Sequence, residues 1–309
     1  MHSVALYGRL LARAIATGIH SELQIQRERA REPLQLVTGS SGFSKTITKS
    51  PNTRKWAFGD DAYFISKNKA VDVIGVADGV GGWRSYGIDP SAFPRILMAT
   101  CERMVQEGCF RPQARPQAPA TVIAASYQEL MEQKVPLIGS STACLVALHR
   151  EERTIYSANL GDSGFLVIRE GEVVHRSQEQ QHYFNTPFQL AVAPPNQQGL
   201  VLSDSPEVAE STSFGVEEGD IILLGTDGLF DNMQEDMLLE YISKVKDHKE
   251  ETVQTTASNI AEKAYQLSFD PEYMSPFAMS AMDVGIEFRG GKPDDITVIV
   301  ARVTSLGET

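Results

Sequence analysis

The chain has 309 residues, 42% of them apolar, so it can bury a large core without disulfides or a structural metal. Its formal net charge of −12 argues against a general nucleic-acid binder, which needs a basic face, and no apolar run is long enough to span a membrane. Three cysteines, a small and odd number, argue against a disulfide-framed secreted protein.

The N-terminal segment differs in charge from the rest of the chain. Residues 1–55 carry nine Lys or Arg and three Glu, whereas the remaining residues carry a net charge of −18. Near the start, one face of a predicted helix is apolar and Arg9 and Arg13 lie on the opposite face. This acid-poor, arginine-bearing pattern is typical of a mitochondrial transit peptide. We therefore predict a targeting leader over residues 1–33, a folded domain over 34–309 and a location in the mitochondrial matrix; an ordinary surface helix is the alternative.

The elements of the domain are predicted from apolar periodicity. From Gln24 to Lys55 the chain is polar and basic, and Gly39-Ser40-Ser41-Gly42 and Ser50-Pro51 predict loops. Apolar, β-branched runs then predict strands at Ala62–Ser66, Val71–Ala77, Thr142–His149, Thr154–Ala158, Gly164–Arg169, Asp220–Thr226 and Ile296–Val303. Helices are predicted at Ser91–Gln106, Pro119–Gln133, Glu235–Asp247 and Glu251–Leu267, and residues 268–292 are predicted to be irregular. Strands in runs and helices in pairs favour an α+β layered fold over a doubly wound parallel sheet.

Aspartates lie at the ends of four predicted strands. Asp78 and Asp227 each follow an apolar strand and precede a glycine, while Asp60-Asp61 and Asp294-Asp295 each open a strand. A single Asp-Gly is an ordinary turn, but four such clusters would gather several carboxylates at one sheet edge. Like charges held that closely repel unless a cation neutralises them. All-oxygen ligands favour Mg²⁺ or Mn²⁺ over zinc, and two such ions suit phosphoryl transfer to water.

Six motifs carry a family resemblance. They occur in the order Asp60-Asp61-Ala62, Ala77-Asp78-Gly79-Val80-Gly81-Gly82, Gly139-Ser140-Ser141-Thr142-Ala143, Asn159-Leu160-Gly161-Asp162-Ser163, Thr226-Asp227-Gly228-Leu229-Phe230-Asp231 and Asp294-Asp295-Ile296-Thr297. In this order and spacing they resemble the metal-dependent protein serine/threonine phosphatases of the type 2C class. The segment from Gln180 to Leu190, together with Gly81-Gly82-Trp83-Arg84, is similar to the mitochondrial, PTC-seven-type branch.

The resemblance implies a fold and a two-metal centre. The fold is two stacked antiparallel β-sheets flanked by pairs of α-helices, in four layers. Asp78 would bridge two ions, Mg²⁺ or Mn²⁺. Asp227 and Asp294 would hold the first ion, and Asp60 and the Gly79 carbonyl would hold the second.

Further roles follow from the same resemblance. Asp61 would orient a metal-bound water that attacks phosphoserine or phosphothreonine. Asp162, with Asp227 and Asp231, would match the weaker third metal site of many relatives. Phosphorylated proteins of the matrix are the expected substrates, and we expect a monomer with no nucleic-acid partner.

The chain departs from the family pattern at two places. Val80 occupies the position of a histidine that is proposed as general acid in better-known relatives, so the source of that proton is open. The family's phosphate-binding arginine is also not in place, and Arg54, Lys55 and Arg84 are the candidates. These departures keep a second hypothesis open, a pseudophosphatase that binds phosphoproteins without turnover. A two-metal nuclease is a third, which the acidic domain disfavours.

Overall fold

The computed structural model describes residues 32–46, 58–108, 118–194 and 199–307. Nearly all of the predicted leader lies outside these residues. The boundary between leader and domain therefore stays a prediction.

In the described residues the strands are numbered in chain order. They are β1 (Leu34–Phe43), β2 (Ala62–Lys67), β3 (Val71–Ala77), β4 (Gly139–Ser141), β5 (Ala143–His149), β6 (Thr154–Leu160), β7 (Gly164–Arg169), β8 (Glu172–Arg176), β9 (Gln181–Tyr183), β10 (Thr186–Pro187), β11 (Leu190–Val192), β12 (Glu210–Gly215), β13 (Ile221–Gly225) and β14 (Ile296–Ser305). The helices are α1 (Ala92–Gln106), α2 (Ala118–Met131), α3 (Asp227–Phe230), α4 (Glu235–Ile242), α5 (Glu250–Ser268) and α6 (Pro276–Asp283), and Gly81–Tyr86 is a 3₁₀ helix.

Two five-stranded antiparallel sheets form the centre of the fold. One has the order β12-β6-β5-β3-β2 and the other β1-β14-β13-β7-β8. Fully buried side chains of both sheets, including Ile74, Val146, Phe165, Leu224 and Ile299, pack between them. Because these strands are apolar on both faces, each sheet is covered by helices as well as by its partner sheet.

The helices form the outer two layers. Helices α1 and α2 pack their apolar stripes on the first sheet through residues such as Leu97 and Ile123. Helices α4 and α5 cover the second sheet through residues such as Leu238 and Ile260. The predicted α+β fold of two stacked sheets flanked by helix pairs is confirmed. In the described part of the chain, no helix has both the length and the apolar character needed to cross a membrane.

Two predictions about local structure are wrong. The loop predicted at residues 39–42 is part of β1, which pairs along its whole length with β14. Position 39 requires a glycine because α5 packs closely against β1, and a Cβ at Gly39 would lie 2.5 Å from the Cα of Gln254. The predicted irregular segment 268–292 contains α6, which has Pro276 at its first turn and is capped by Ser275, whose hydroxyl accepts from the amide of Ala278 at 3.1 Å.

The topology brings the aspartates to one end of the sandwich. Strands β3 and β13, one from each sheet, end there and are followed by Asp78 and Asp227. Their antiparallel neighbours β2 and β14 begin there, after Asp61 and Asp295. The turn that crosses from β6 in one sheet to β7 in the other adds Asp162.

Candidate metal centre

Three carboxylates form the centre of the site. Oxygens of Asp78, Asp162 and Asp227 all lie within 4.8 Å of one another, beside a cavity of about 150 Å³. Asp162 Oδ1 and Asp227 Oδ1 are buried and have no hydrogen-bond partner. A buried carboxylate oxygen without a donor is costly, and a divalent cation with oxygen ligands would satisfy it. These residues therefore fit a Mg²⁺ or Mn²⁺ site.

The electrostatics of this cluster favour a cation. Burial, and then the neighbouring charges of Asp227 and Asp61, raise the pKa of Asp78 well above its usual range. Burial and Asp227 do the same to the pKa of Asp162. Burial also acts to raise the pKa of Asp227, but Lys292, together with smaller contributions from Asp78 and Lys45, holds that pKa below the usual range. Close packing of these three carboxylates therefore favours a cation between them, since like charges held together repel.

The backbone beside Asp78 is closely packed. A Cβ on Gly79 would lie 2.4 Å from the carbonyl oxygen of Pro90 and 2.7 Å from that of Asp60, so only glycine fits. The Asp78 amide donates to Thr142 Oγ1 at 3.0 Å, and this hydroxyl also shares a 2.8 Å hydrogen bond with Ser163. Thr142, at the end of the segment 139–142, thus holds the backbone of Asp78 in place.

Asp61 is held from the second sheet. The hydroxyls of Thr226 and Thr297 both donate to its Oδ2 at 2.8 Å, in fully buried surroundings. Burial, and then the charge of Asp295, raise the pKa of Asp61 well above its usual range, although the two hydroxyls oppose this. The orientation of this side chain is therefore set by one residue just after β13, Thr226, and one within β14, Thr297.

The outer aspartates are paired with basic side chains. Arg84 donates from both Nη atoms to Asp60, at 2.7 and 2.6 Å. The role of Arg84 in phosphate binding stays a prediction. Arg54 and Lys55 lie outside the described residues.

Two lysines of the site were missed from the sequence. Lys45 Nζ lies 2.7 Å from Asp294 Oδ1 and 3.4 Å from Asp295 Oδ2. The sequence predicts a polar loop for this segment, so no local pattern points to a place in the site. Lys292 Nζ lies 2.6 Å from carboxylate oxygens of both Asp227 and Asp231. The sequence signal for Lys292 is the Gly290-Gly291 pair just before it, in a segment that opens β14.

Asp295 has a structural role that sequence reasoning also missed. Its carboxylate accepts from the amides of Lys45, at 2.8 Å, and Asp60, at 3.0 Å. Gly59 has a φ of +61°, and a Cβ there would lie 2.0 Å from Asp295 Oδ1. Asp295 therefore ties the segments before β2 and after β1 to the start of β14.

Val80, at the position of the family histidine, lines the cavity. None of the described residues that line it is a histidine. His182 instead faces Asp204, with 3.0 Å between Nε2 and Oδ2, and stacks on Phe188.

Comparison with known proteins agrees with this geometry. The family model of the stage II sporulation protein E (SpoIIE) matches residues 97–304. The protein phosphatase PTC7 homologue of Homo sapiens is 54% identical over 303 residues, which cover 98% of each chain. This chain belongs to the PTC7-type protein phosphatases of the type 2C class. The PTC7 homologue named fig of Drosophila melanogaster is 44% identical over 89% of this chain and 86% of its own.

Solved structures of this class share the fold. The photosystem II phosphatase PBCP matches with a TM-score of 0.72 at 28% identity, over 88% of this chain and all of that one. The catalytic domain of the serine/threonine phosphatase PstP, solved with two manganese ions, matches with a TM-score of 0.55 at 17% identity, over 88% of this chain and all of that one. This PTC7-type chain is thus a protein phosphatase of a metal-dependent family.

Proposed function

We propose that this phosphatase hydrolyses phosphoserine and phosphothreonine in proteins of the mitochondrial matrix, with two Mg²⁺ or Mn²⁺ ions at the carboxylate cluster. The observation that carries the proposal is the set of oxygens from Asp78, Asp162 and Asp227 within 4.8 Å of one another. Two of these carboxylates have a buried oxygen with no protein donor. The two manganese ions of the PstP structure add support from a distant relative.

The residues divide into those that would hold the ions and those that would handle the substrate. Asp78 and Asp227 would hold ions at the centre, and Asp60, Asp294 and the Gly79 carbonyl would complete the set. When bound, divalent cations lower the pKa of a water and stabilise negative charge on phosphoryl oxygens.

Other side chains would act on the reacting groups directly. Asp61, fixed by the hydroxyls of Thr226 and Thr297, would accept a hydrogen bond from the attacking water and so orient it. Lys45 lines the same cavity, and its ammonium would contact a phosphoryl oxygen of the substrate. Lys45 thereby takes the place of the phosphate-binding arginine expected in this region.

The mitochondrial part of the proposal rests on the N-terminal composition. The arginine-bearing segment before Glu22 contains no acidic residue, which is typical of a transit peptide. Import of the full-length chain into isolated mitochondria, followed by N-terminal sequencing, tests it. A chain that remains protease-accessible outside the organelle would contradict this location.

The catalytic part is tested with purified protein and phosphopeptides. We expect Mn²⁺-dependent release of phosphate from phosphoserine and phosphothreonine peptides, and none in excess EDTA. Asp78→Asn should lower kcat/KM by about 100-fold or more, because several kcal/mol of charge stabilisation depend on the ions it holds. Asp283→Asn, which changes an exposed carboxylate on α6, is the matched control and should keep full activity. Equal turnover in Asp78→Asn and the control would overturn the proposal.

A further inference from the structure

Lys292 is fixed in place by its backbone. Its amide donates to Asn232 Oδ1 at 2.8 Å, and its carbonyl accepts from Asn232 Nδ2 at 2.9 Å. Asn232 is fully buried and also donates to the carbonyl of Gly228 at 3.0 Å. Gly291, just before Lys292, has no room for a side chain, since a Cβ would lie 2.0 Å from the carbonyl oxygen of Leu267. The backbone of Lys292 is therefore held in a fixed position beside the site.

The Lys292 side chain points into the acidic cluster. Its Nζ lies 2.6 Å from Asp227 Oδ2, 2.6 Å from Asp231 Oδ2 and 3.5 Å from Asp294 Oδ2. The ring of Phe277 covers it, with Nζ 4.9 Å from the ring centroid, and only 15% of the side chain is exposed. The Lys292 ammonium thus lies between the carboxylates of Asp227, at the start of α3, and Asp231, just after its end.

We propose that Lys292 takes the place of a third divalent cation, so that this centre binds two ions and not three. The inference deepens the proposed function, on which it rests. Asp162, Asp227 and Asp231 are the residues that the family resemblance assigns to a third ion. Here the ammonium already bonds two of these three carboxylates.

The charge and burial of Lys292 give the physical reason. A divalent cation between Asp227 and Asp231 would have to displace the ammonium from both. The displaced ammonium would then stay buried with only the more distant carboxylate of Asp294, at 3.5 Å, to balance its charge, which is unfavourable. The ammonium leaves Asp227 Oδ1 free of donors, so the same carboxylate can still serve the central ions.

Metal binding by the full-length, metal-free protein tests this inference. Mn²⁺ stoichiometry is measured by isothermal titration calorimetry and by native mass spectrometry, for the wild type, Lys292→Met and the control Lys249→Met. Lys249 is 69% exposed and pairs only loosely with Asp247, at 3.9 Å. We expect two ions per chain in the wild type and the control, and three in Lys292→Met.

Thermal melting gives a second readout that does not depend on turnover. Without metal, Lys292→Met should melt at a lower temperature than the control, because Asp227 and Asp231 lose their counter-charge. Saturating Mn²⁺ should raise its melting temperature by more than it raises that of the wild type. Three ions in the wild type, or two in a folded Lys292→Met, would overturn the inference.

Asp231→Asn keeps the inference testable if Lys292→Met fails to fold. If Asp231 serves Lys292 and not a metal ion, this variant binds two Mn²⁺ with the wild-type affinity. Loss of an ion in Asp231→Asn would overturn the inference. The proposed function fails differently: a wild-type protein that binds no Mn²⁺ contradicts the metal centre itself, whereas a wrong count with metal-dependent turnover contradicts only the role of Lys292.

Discussion

The hydroxyl of Thr297 offers a direct measure of how tightly Asp61 is held. Its Oγ1 donates to Asp61 Oδ2 at 2.8 Å, and both side chains are fully buried. Thr297→Val keeps the shape of the side chain and removes only this donor. Removing one partner of a buried hydrogen bond costs about 1–3 kcal/mol, so we expect the free energy of unfolding to fall by that amount.

Loss of the Thr297 hydrogen bond to Asp61 should also lower kcat/KM. If Asp61 orients the attacking water, the weakened hold raises the barrier by a similar free energy, and kcat/KM falls by about 10- to 100-fold. Urea denaturation of the metal-free protein gives the stability change. Phosphopeptide turnover at saturating Mn²⁺ gives the kinetic change.

Thr304→Val is the matched control on the same strand. Thr304 is 3% exposed, and its Oγ1 is buried with no hydrogen-bond partner. Removing such a hydroxyl should leave stability unchanged or raise it, with no change in turnover. If both valine variants lost the same stability, or if Thr297→Val kept wild-type turnover, this account of Asp61 would be refuted.

Two further predictions concern parts of the fold away from the metal centre. Asp72 lies on β3, six residues before Asp78 and so about 20 Å from it along the strand. Its carboxylate accepts hydrogen bonds from the Leu36 amide at 2.8 Å and from Arg150 at 2.6 Å. Asp72→Ala should therefore lower the free energy of unfolding by about 3–5 kcal/mol in urea melts, with unchanged kcat per folded molecule; an equal loss of kcat would contradict this. His175 stacks on Phe214, and burial lowers the pKa of its imidazole. The neutral, buried imidazole therefore contributes its full stability above pH 6.5, and this contribution is lost as the pH falls through the lower pKa of the folded state. His175→Phe should flatten the fall in unfolding free energy between pH 7 and about 5, and an unchanged slope would contradict this assignment.

The strands that build the core were predictable because their apolar runs are continuous. Val71–Ala77 and Gly164–Arg169 are predicted with the bounds that the structure has. Strand β1 was missed because its Gly-Ser-Ser-Gly stretch has the composition of a loop. Only the folded structure explains the two glycines: a Cβ on Gly39 would collide with α5, and one on Gly42 with the Phe58 ring and the Ile296 carbonyl oxygen. Strand β8 was missed because its side chains are alternately exposed, at the edge of its sheet.

The carboxylates of the centre were visible in the sequence, whereas their basic partners were not. Each aspartate abuts an apolar strand, so its position at a sheet edge follows from local pattern alone. The approach of Lys45 to Asp294, across 249 residues of chain, depends on the pairing of β1 with β14. No local signal encodes such a contact, because it forms only when both sheets are assembled.

The sequence by itself determined the class of this protein, through six ordered motifs. Its aspartates, with no competing zinc ligands, predict a site for hard divalent cations. The tertiary structure decided how the charge of that site is balanced. Arg84, Lys45 and Lys292 each pair with a carboxylate of the site, while Asp162 and Asp227 each keep a buried oxygen with no hydrogen-bond partner. The physical reason is that charge pairing depends on distance in space, and only the folded sandwich brings each of these basic groups within 3 Å of its carboxylate.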